Sequence, residues 1–209
     1  MITQLKPYQE TFLKFATDIR RNFDAIILCE GRTDAEIIKA IIKKIGLTIS
    51  RRIAVTDCEG IEQLKTTAKY IAVLTRNTRK LKKLAVIVDQ DIYKPRERAQ
   101  SLIDALRSEN IETSTLKKID TQLFKATINN KTLIIAVAGD PELPFKTRTI
   151  EDHIAKAKIY ERKLSTEDVT RYDKAKDVVK DPVKQIEEIK PENIEKAFKT
   201  IIELIKTVT

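Results

Sequence analysis

The sequence predicts an α/β protein built on a mainly parallel sheet, and three observations carry that reading. Apolar runs at 24–29, 52–57, 84–89 and 132–138 have the length and β-branched content of strands buried on both faces. Stretches of helical period separate the first three. Three of the four glycines, Gly31, Gly60 and Gly139, stand just after such runs, and Gly46 stands where a helix should stop.

Taken in order, Tyr8, Phe12, Phe15 and Ile19 fall on one helical face, which predicts a packing helix within residues 1–23. The strand at 24–29 ends at Glu30-Gly31. Thr33-Asp34-Ala35-Glu36 reads as a capping box, and Ile38, Ile41, Ile42 and Ile45 form the stripe of the helix that follows. A second strand at 52–57 passes through Cys58-Glu59-Gly60 into a helix reaching about Thr75. The third strand, 84–89, is followed by a polar turn through Lys94 and a helix opening at Pro95, where a missing N–H costs nothing. Loose alternation over 111–130 predicts one or two edge strands, with Asn129-Asn130 turning a hairpin into the strand at 132–138. From Thr149 the composition shifts to Lys, Glu and Asp. Helices are expected near 149–161 and 166–180, then after Pro191 with Ile194, Phe198, Ile201 and Ile205 on one side. The chain thus divides into the N-terminal helix, a catalytic unit over 24–139 and a helical C-terminal extension over 140–209.

Forty basic and thirty-one acidic residues among 209 leave a net charge of +9, and 42% of the chain is apolar. That balance excludes a disordered tail or a fibre. No apolar run approaches the roughly 20 residues of a membrane span, and the first residues lack a secretory h-region, so no membrane association and a cytoplasmic location are expected. Two cysteines and one histidine cannot furnish a structural zinc site. Cys29 and Cys58 read as buried thiols brought close by their strands, and His153 as a helix-surface residue. The positive charge suits a polyanion, nucleic acid above all. Abundant Lys, Glu and Ile with few glycines point to a heat-adapted (thermophile) source.

In a parallel sheet the carboxyl ends of the strands share one edge, where ligands bind. Glu30 falls at that edge after the first strand, Asp57 and Glu59 after the second, Asp89 and Asp91 after the third, and Asp140 and Glu142 after the last. Clustered carboxylates repel one another, and a divalent cation relieves the repulsion; Mg²⁺ takes such oxygen ligands, and Mn²⁺ is a substitute. Two-residue spacing at a strand end directs Asp89 and Asp91 to the same side, with Gln90 facing away. An Asp after a strand also serves as an ordinary turn cap, and Asp34 is favoured by the helix dipole alone.

The Glu30-Gly31-Arg32-Thr33-Asp34 segment after one apolar strand, and Val86-Ile87-Val88-Asp89-Gln90-Asp91 two strands later, resemble the TOPRIM domain of topoisomerases, bacterial-type primases and several small nucleases. The resemblance covers residues 24–139. It implies a Rossmann-like three-layer α/β/α fold in which Glu30 assists proton transfer and helps hold metal while Asp89 and Asp91 ligate Mg²⁺. Asp34 matches a less strict acidic position, and Glu59 belongs to a second Glu-Gly pair without the following Asp. Glu151-Asp152 resembles the extra acidic residues of overcoming-lysogenization-defect nucleases, though both also read as first-turn helix residues. Arg32, Lys94, Arg96 and Arg98 are candidate phosphate contacts; Arg96 and Arg98 equally suit a solvated helix face. Scarce aromatics argue against base stacking as the recognition mode.

Topoisomerase and primase need modules that 209 residues cannot supply. The expectation is therefore a Mg²⁺-dependent nuclease or nucleotidyl-transfer enzyme acting on phosphodiester bonds of DNA or RNA, a hydrolase in the first case. Alternatives are a non-catalytic module binding nucleic acid, or a protein partner through its C-terminal helices, and a small-molecule phosphatase of the haloacid-dehalogenase type.

Overall fold

In a computed structural model of the chain, residues 2–5, 17–19, 22–76 and 78–209 are described. Their strands are β1 (Ile2–Leu5), β2 (Ala25–Cys29), β3 (Ile53–Asp57), β4 (Lys83–Asp89), β5 (Lys117–Lys118), β6 (Leu123–Ile128) and β7 (Lys131–Ala138). They form one sheet in the order β1-β3-β2-β4-β7-β6-β5. The first five in that order run parallel, and β6 and β5 add antiparallel at one side. Helices α1 (Arg32–Lys44), α2 (Ile61–Thr75) and α3 (Pro95–Arg107) follow β2, β3 and β4. After β7 come α4 (Glu151–Tyr160), α5 (Thr166–Val169), α6 (Pro182–Glu188), α7 (Pro191–Ala197) and α8 (Lys199–Val208).

The strands are apolar on both sides because both sides are covered. Ile26, Leu28, Val86, Val88 and Ile135 face a core closed by Leu64, Ile71, Leu102 and Ile103 of α2 and α3. The alternate residues Ile27, Val55, Ile87, Ile134 and Ala136 face a second core. That core is closed by Ile38 and Ile41 of α1 together with Ile154, Ile194, Phe198, Ile201 and Ile205. The segment after Gly139 is thus the lid of one sheet face and shares its core. The apolar stripe of the last helices points inward, with Ile194, Phe198 and Ile205 fully buried.

Several expectations change. A strand not expected from the sequence, Ile2 pairing with Ile53 beside β3, precedes the packing helix expected within residues 1–23, of which residues 17–19 and 22 are described and are helical. Tyr8, Phe12 and Phe15 lie outside the described residues, whereas Ile19 is buried. The single helix expected at 166–180 is only α5 and a 3-10 turn at Ala175–Asp177. The buried residues there, Val169, Ala175 and Val179, are spaced too irregularly for a helical stripe, and Lys174 is drawn into a bridge with Thr147. The last helix bends at Phe198 (φ −99°, ψ 23°), which separates α7 from α8. Asp181-Pro182 starts α6, a helix the reading omitted: Asp181 accepts from Lys184 N at 3.1 Å and proline takes the first position.

Candidate metal centre

Register fixes where the acids gather. Cys29 pairs with Asp57 and Ile87, and Asp89 with Ala138, so Glu30, Asp89 and Gly139 leave the sheet at the same edge. Glu30 follows β2 directly, and Gly31 (φ −123°) caps α1. Asp34, three residues on, accepts from Gly31 N at 2.8 Å through Oδ2. The cap therefore starts two residues earlier than the Thr33–Glu36 box, because Gly31 O already receives Ala35 N at 3.3 Å. Thr33 is exposed, and Glu36 pairs instead with Arg32 at 2.9 Å. Asp34, the weaker candidate in the sequence, is buried at the centre's floor.

Glu30 Oε2 accepts from Asp89 N at 3.3 Å and from Arg98 Nη2 at 3.3 Å. Burial raises the Glu30 pKa, and Arg98 works against that shift. The Asp89 carboxylate accepts from Ile150 N at 3.0 Å. Asp91 departs from the expected geometry, since the strand ends at Asp89 and Asp91 takes φ +54°. Its backbone is clamped by Arg148 through N–H···O contacts of 2.8 and 3.1 Å. Two-residue alternation thus fails here. Gln90 is buried, accepting from Gln122 Nε2 at 3.4 Å. Arg98 brings Asp91 to the group: Nη2 donates to Asp91 Oδ2 at 2.7 Å and Nε donates to Asp89 O at 2.9 Å.

Glu151 completes the set. It opens α4 and is only 2% exposed, and its Oε2 is buried with no hydrogen-bond partner. Lys176 Nζ approaches its Oε1 at 4.0 Å. Burial, then the charges of Glu151 and Glu30, push Asp34 up to about 7 despite its bond from Gly31. Asp89 is raised well above its ordinary value by burial and by Asp34, Glu151 and Glu30. Four carboxylates therefore repel one another in a partly dry site. Among the described residues no three acidic, His or Cys side chains are already drawn together as ligands of one ion. The donor chemistry fits a hard divalent cation nonetheless: every group is a carboxylate oxygen, and one buried oxygen lacks any partner.

The other candidates are dispersed. Glu59 is exposed at φ +57°, outside the group. Arg32, Lys94 and Arg96 are exposed, whereas Arg98 is inside, its side chain 10% exposed. Asp140 and Glu142 are held by Lys156 at 2.6 and 2.8 Å. Asp152 lies in the first turn of α4, as that reading has it, and is fully buried, accepting from Asp140 N at 3.0 Å. His153, expected at the surface, is buried, its Nε2 accepting from Gly139 N at 3.2 Å and its ring 5.2 Å from that of Phe198. Burial lowers its pKa to about 4. Cys29 and Cys58 are neighbours as expected, free and buried, with Cys58 N donating to Cys29 O at 3.1 Å. The reading missed Arg98 as an internal cation, although its place in the first turns of a helix leaving the strand edge was a usable signal. Nothing local marks Lys176 or Arg148.

A family model described as "Protein of unknown function (DUF3226)" matches residues 24–198, and the chain belongs to that family. The match runs through the strand-edge acids and helices α4 to α7 and stops before α8. No curated protein and no solved structure matches the chain. Among the described residues no helix is long and apolar enough to cross a membrane.

Proposed function

We propose that the protein is a Mg²⁺-dependent nuclease that hydrolyses phosphodiester bonds of DNA or RNA, working in the cytoplasm on a TOPRIM-like scaffold. The observation that carries this reading is the convergence of Glu30, Asp34, Asp89 and Glu151 at one strand edge, with the Glu151 Oε2 buried and unpartnered. Asp89, Asp91 and Glu30 would hold the metal, with Asp34 and Glu151, whose charges act on Asp89, as further candidate ligands. A bound Mg²⁺, or Mn²⁺ in its place, offsets charge on the phosphate and lowers the pKa of a coordinated water. Glu30, whose side chain is 18% exposed, is the carboxylate assigned here to take a proton from that water. Asp89 is held by Ile150 N, so its orientation is set before substrate arrives. Lys94 and Arg96 flank this edge and supply phosphate contacts, in keeping with the net charge of +9.

The double substitution Asp89→Asn and Asp91→Asn tests the reading. Asn at 89 still accepts from Ile150 N, so the melting temperature should shift by only a few degrees. Mg²⁺-dependent cleavage of labelled single- or double-stranded DNA and RNA should fall at least about 100-fold, the scale of losing a catalytic electrostatic group. Full activity in the double variant would end the proposal. One observation favours a second reading, a binding module without chemistry: Arg98 already neutralises Glu30 and Asp91. Salt-sensitive nucleic-acid binding that persists in EDTA, with no product from any substrate, would select it.

A further inference from the structure

Arg98 is set apart from the other cations around the acidic edge. Arg32 is 80% exposed and pairs along its own helix with Glu36, and Lys94 and Arg96 point to solvent. Arg98 instead turns inward to a side-chain exposure of 10%. One nitrogen, Nη2, bridges Glu30 Oε2 at 3.3 Å and Asp91 Oδ2 at 2.7 Å, and Nε holds Asp89 O at 2.9 Å. The guanidinium therefore touches all three residues that define the proposed metal centre. It sits between the Glu30 and Asp91 carboxylates, while Lys176 Nζ approaches Glu151 Oε1 at 4.0 Å. Its carbon also lies 5.4 Å from the centre of the Tyr93 ring, and that ring is on the exposed turn beside the site.

We propose that Arg98 is an exchangeable internal cation: it holds Glu30 and Asp91 together until a divalent ion arrives, and then leaves them to that ion. This inference rests on the metal-centre reading above. The reasoning is spatial. A divalent ion binding carboxylate oxygens lies about 2.0–2.1 Å from each, and the space between Glu30 Oε2 and Asp91 Oδ2 is the space Nη2 fills. Two cations in that gap would repel at short range with little water to screen them. The stem of Arg98 emerges at the start of α3, next to Tyr93 and Lys94 at the open rim, so the released guanidinium moves toward the side from which a phosphate approaches. The exchange keeps the acids from splaying apart in the metal-free protein and makes the centre select for a divalent ion over a monovalent one.

The tests use the full-length protein and metal alone. Titration calorimetry with Mn²⁺ compares the native chain with Arg98→Gln, Arg98→Lys and Asp89→Asn, each first shown to be folded by circular dichroism. Arg98→Gln is expected to bind Mn²⁺ on the order of tenfold more tightly, because no ion pair need be broken first. Arg98→Lys keeps the charge but not the three-way reach, and falls between the two. A Tyr93→Trp reporter should change its fluorescence as Mg²⁺ is added, and the change should vanish in Tyr93→Trp/Arg98→Gln. Unchanged or weaker Mn²⁺ binding by Arg98→Gln, with binding lost in Asp89→Asn, would overturn the exchange while leaving the metal centre standing. Native-strength binding by Asp89→Asn would remove the centre itself. A metal-dependent Trp signal that persists without Arg98 would show that the guanidinium does not move.

Discussion

Gly139 shows how closely the strand edge is packed. It adopts φ +132°, and a Cβ there would meet Arg148 Cβ at 2.6 Å. Arg148 is the residue whose backbone clamps Asp91, so space at 139 and the placement of Asp91 are linked. Gly139→Ala should cost about 1–3 kcal/mol from the backbone conformation alone, plus the overlap. Urea denaturation would show it as a lower midpoint, and an unchanged midpoint would contradict the packing. At this scale the sequence was a fair guide to which residues sit at the edge and a poor one to their partners. Glu30 and Asp89 follow from strand ends. The left-handed turn at Asp91 and the inward path of Arg98 depend on Arg148 and on the helix start, which residue types alone do not specify.

At the scale of elements, strands and their helices were legible because hydrophobic period and glycine position agree. The hairpin was readable for a local reason: Asn129 and Asn130 take φ +47° and +64°, a conformation asparagine tolerates and β-branched residues do not. Asn130→Val should destabilise the protein by roughly 1–2 kcal/mol and loosen the β6–β7 register, visible as faster amide exchange at Ala126 and Leu133. Protection equal to the native protein would mean the turn does not set the register. Elements were misread where a distant partner decides the conformation. The 166–180 stretch has helical composition, but the bridge from Thr147 to Lys174 pulls its middle straight. The opening strand exists because β3 offers it an edge, a fact invisible in four residues.

For the whole molecule, the largest revision concerns residues 140–209, which read as an extension and act as a wall. Phe198 is the clearest marker: it is fully buried, contacts the His153 ring and ties α7 and α8 to the core under β2, β4 and β7. Phe198→Ala should cost about 3–5 kcal/mol, as large-to-small core changes do. A loss below about 1 kcal/mol in denaturant titration would mean that the C-terminal helices are dispensable to that core. The same wall supplies Glu151 and Lys176 to the acidic centre and Ile150 N to Asp89.

That arrangement bears on how the protein is made. Ile27 and Ile87, near the start and middle of the chain, share their core with Ile201, Ile205 and Val208. While a ribosome is still synthesising the chain, the part of this sheet face that α1 does not cover stays greasy and bare until the C-terminal helices have emerged. A growing polypeptide of this design calls for a holding chaperone, or for rapid completion, to avoid clumping with its neighbours.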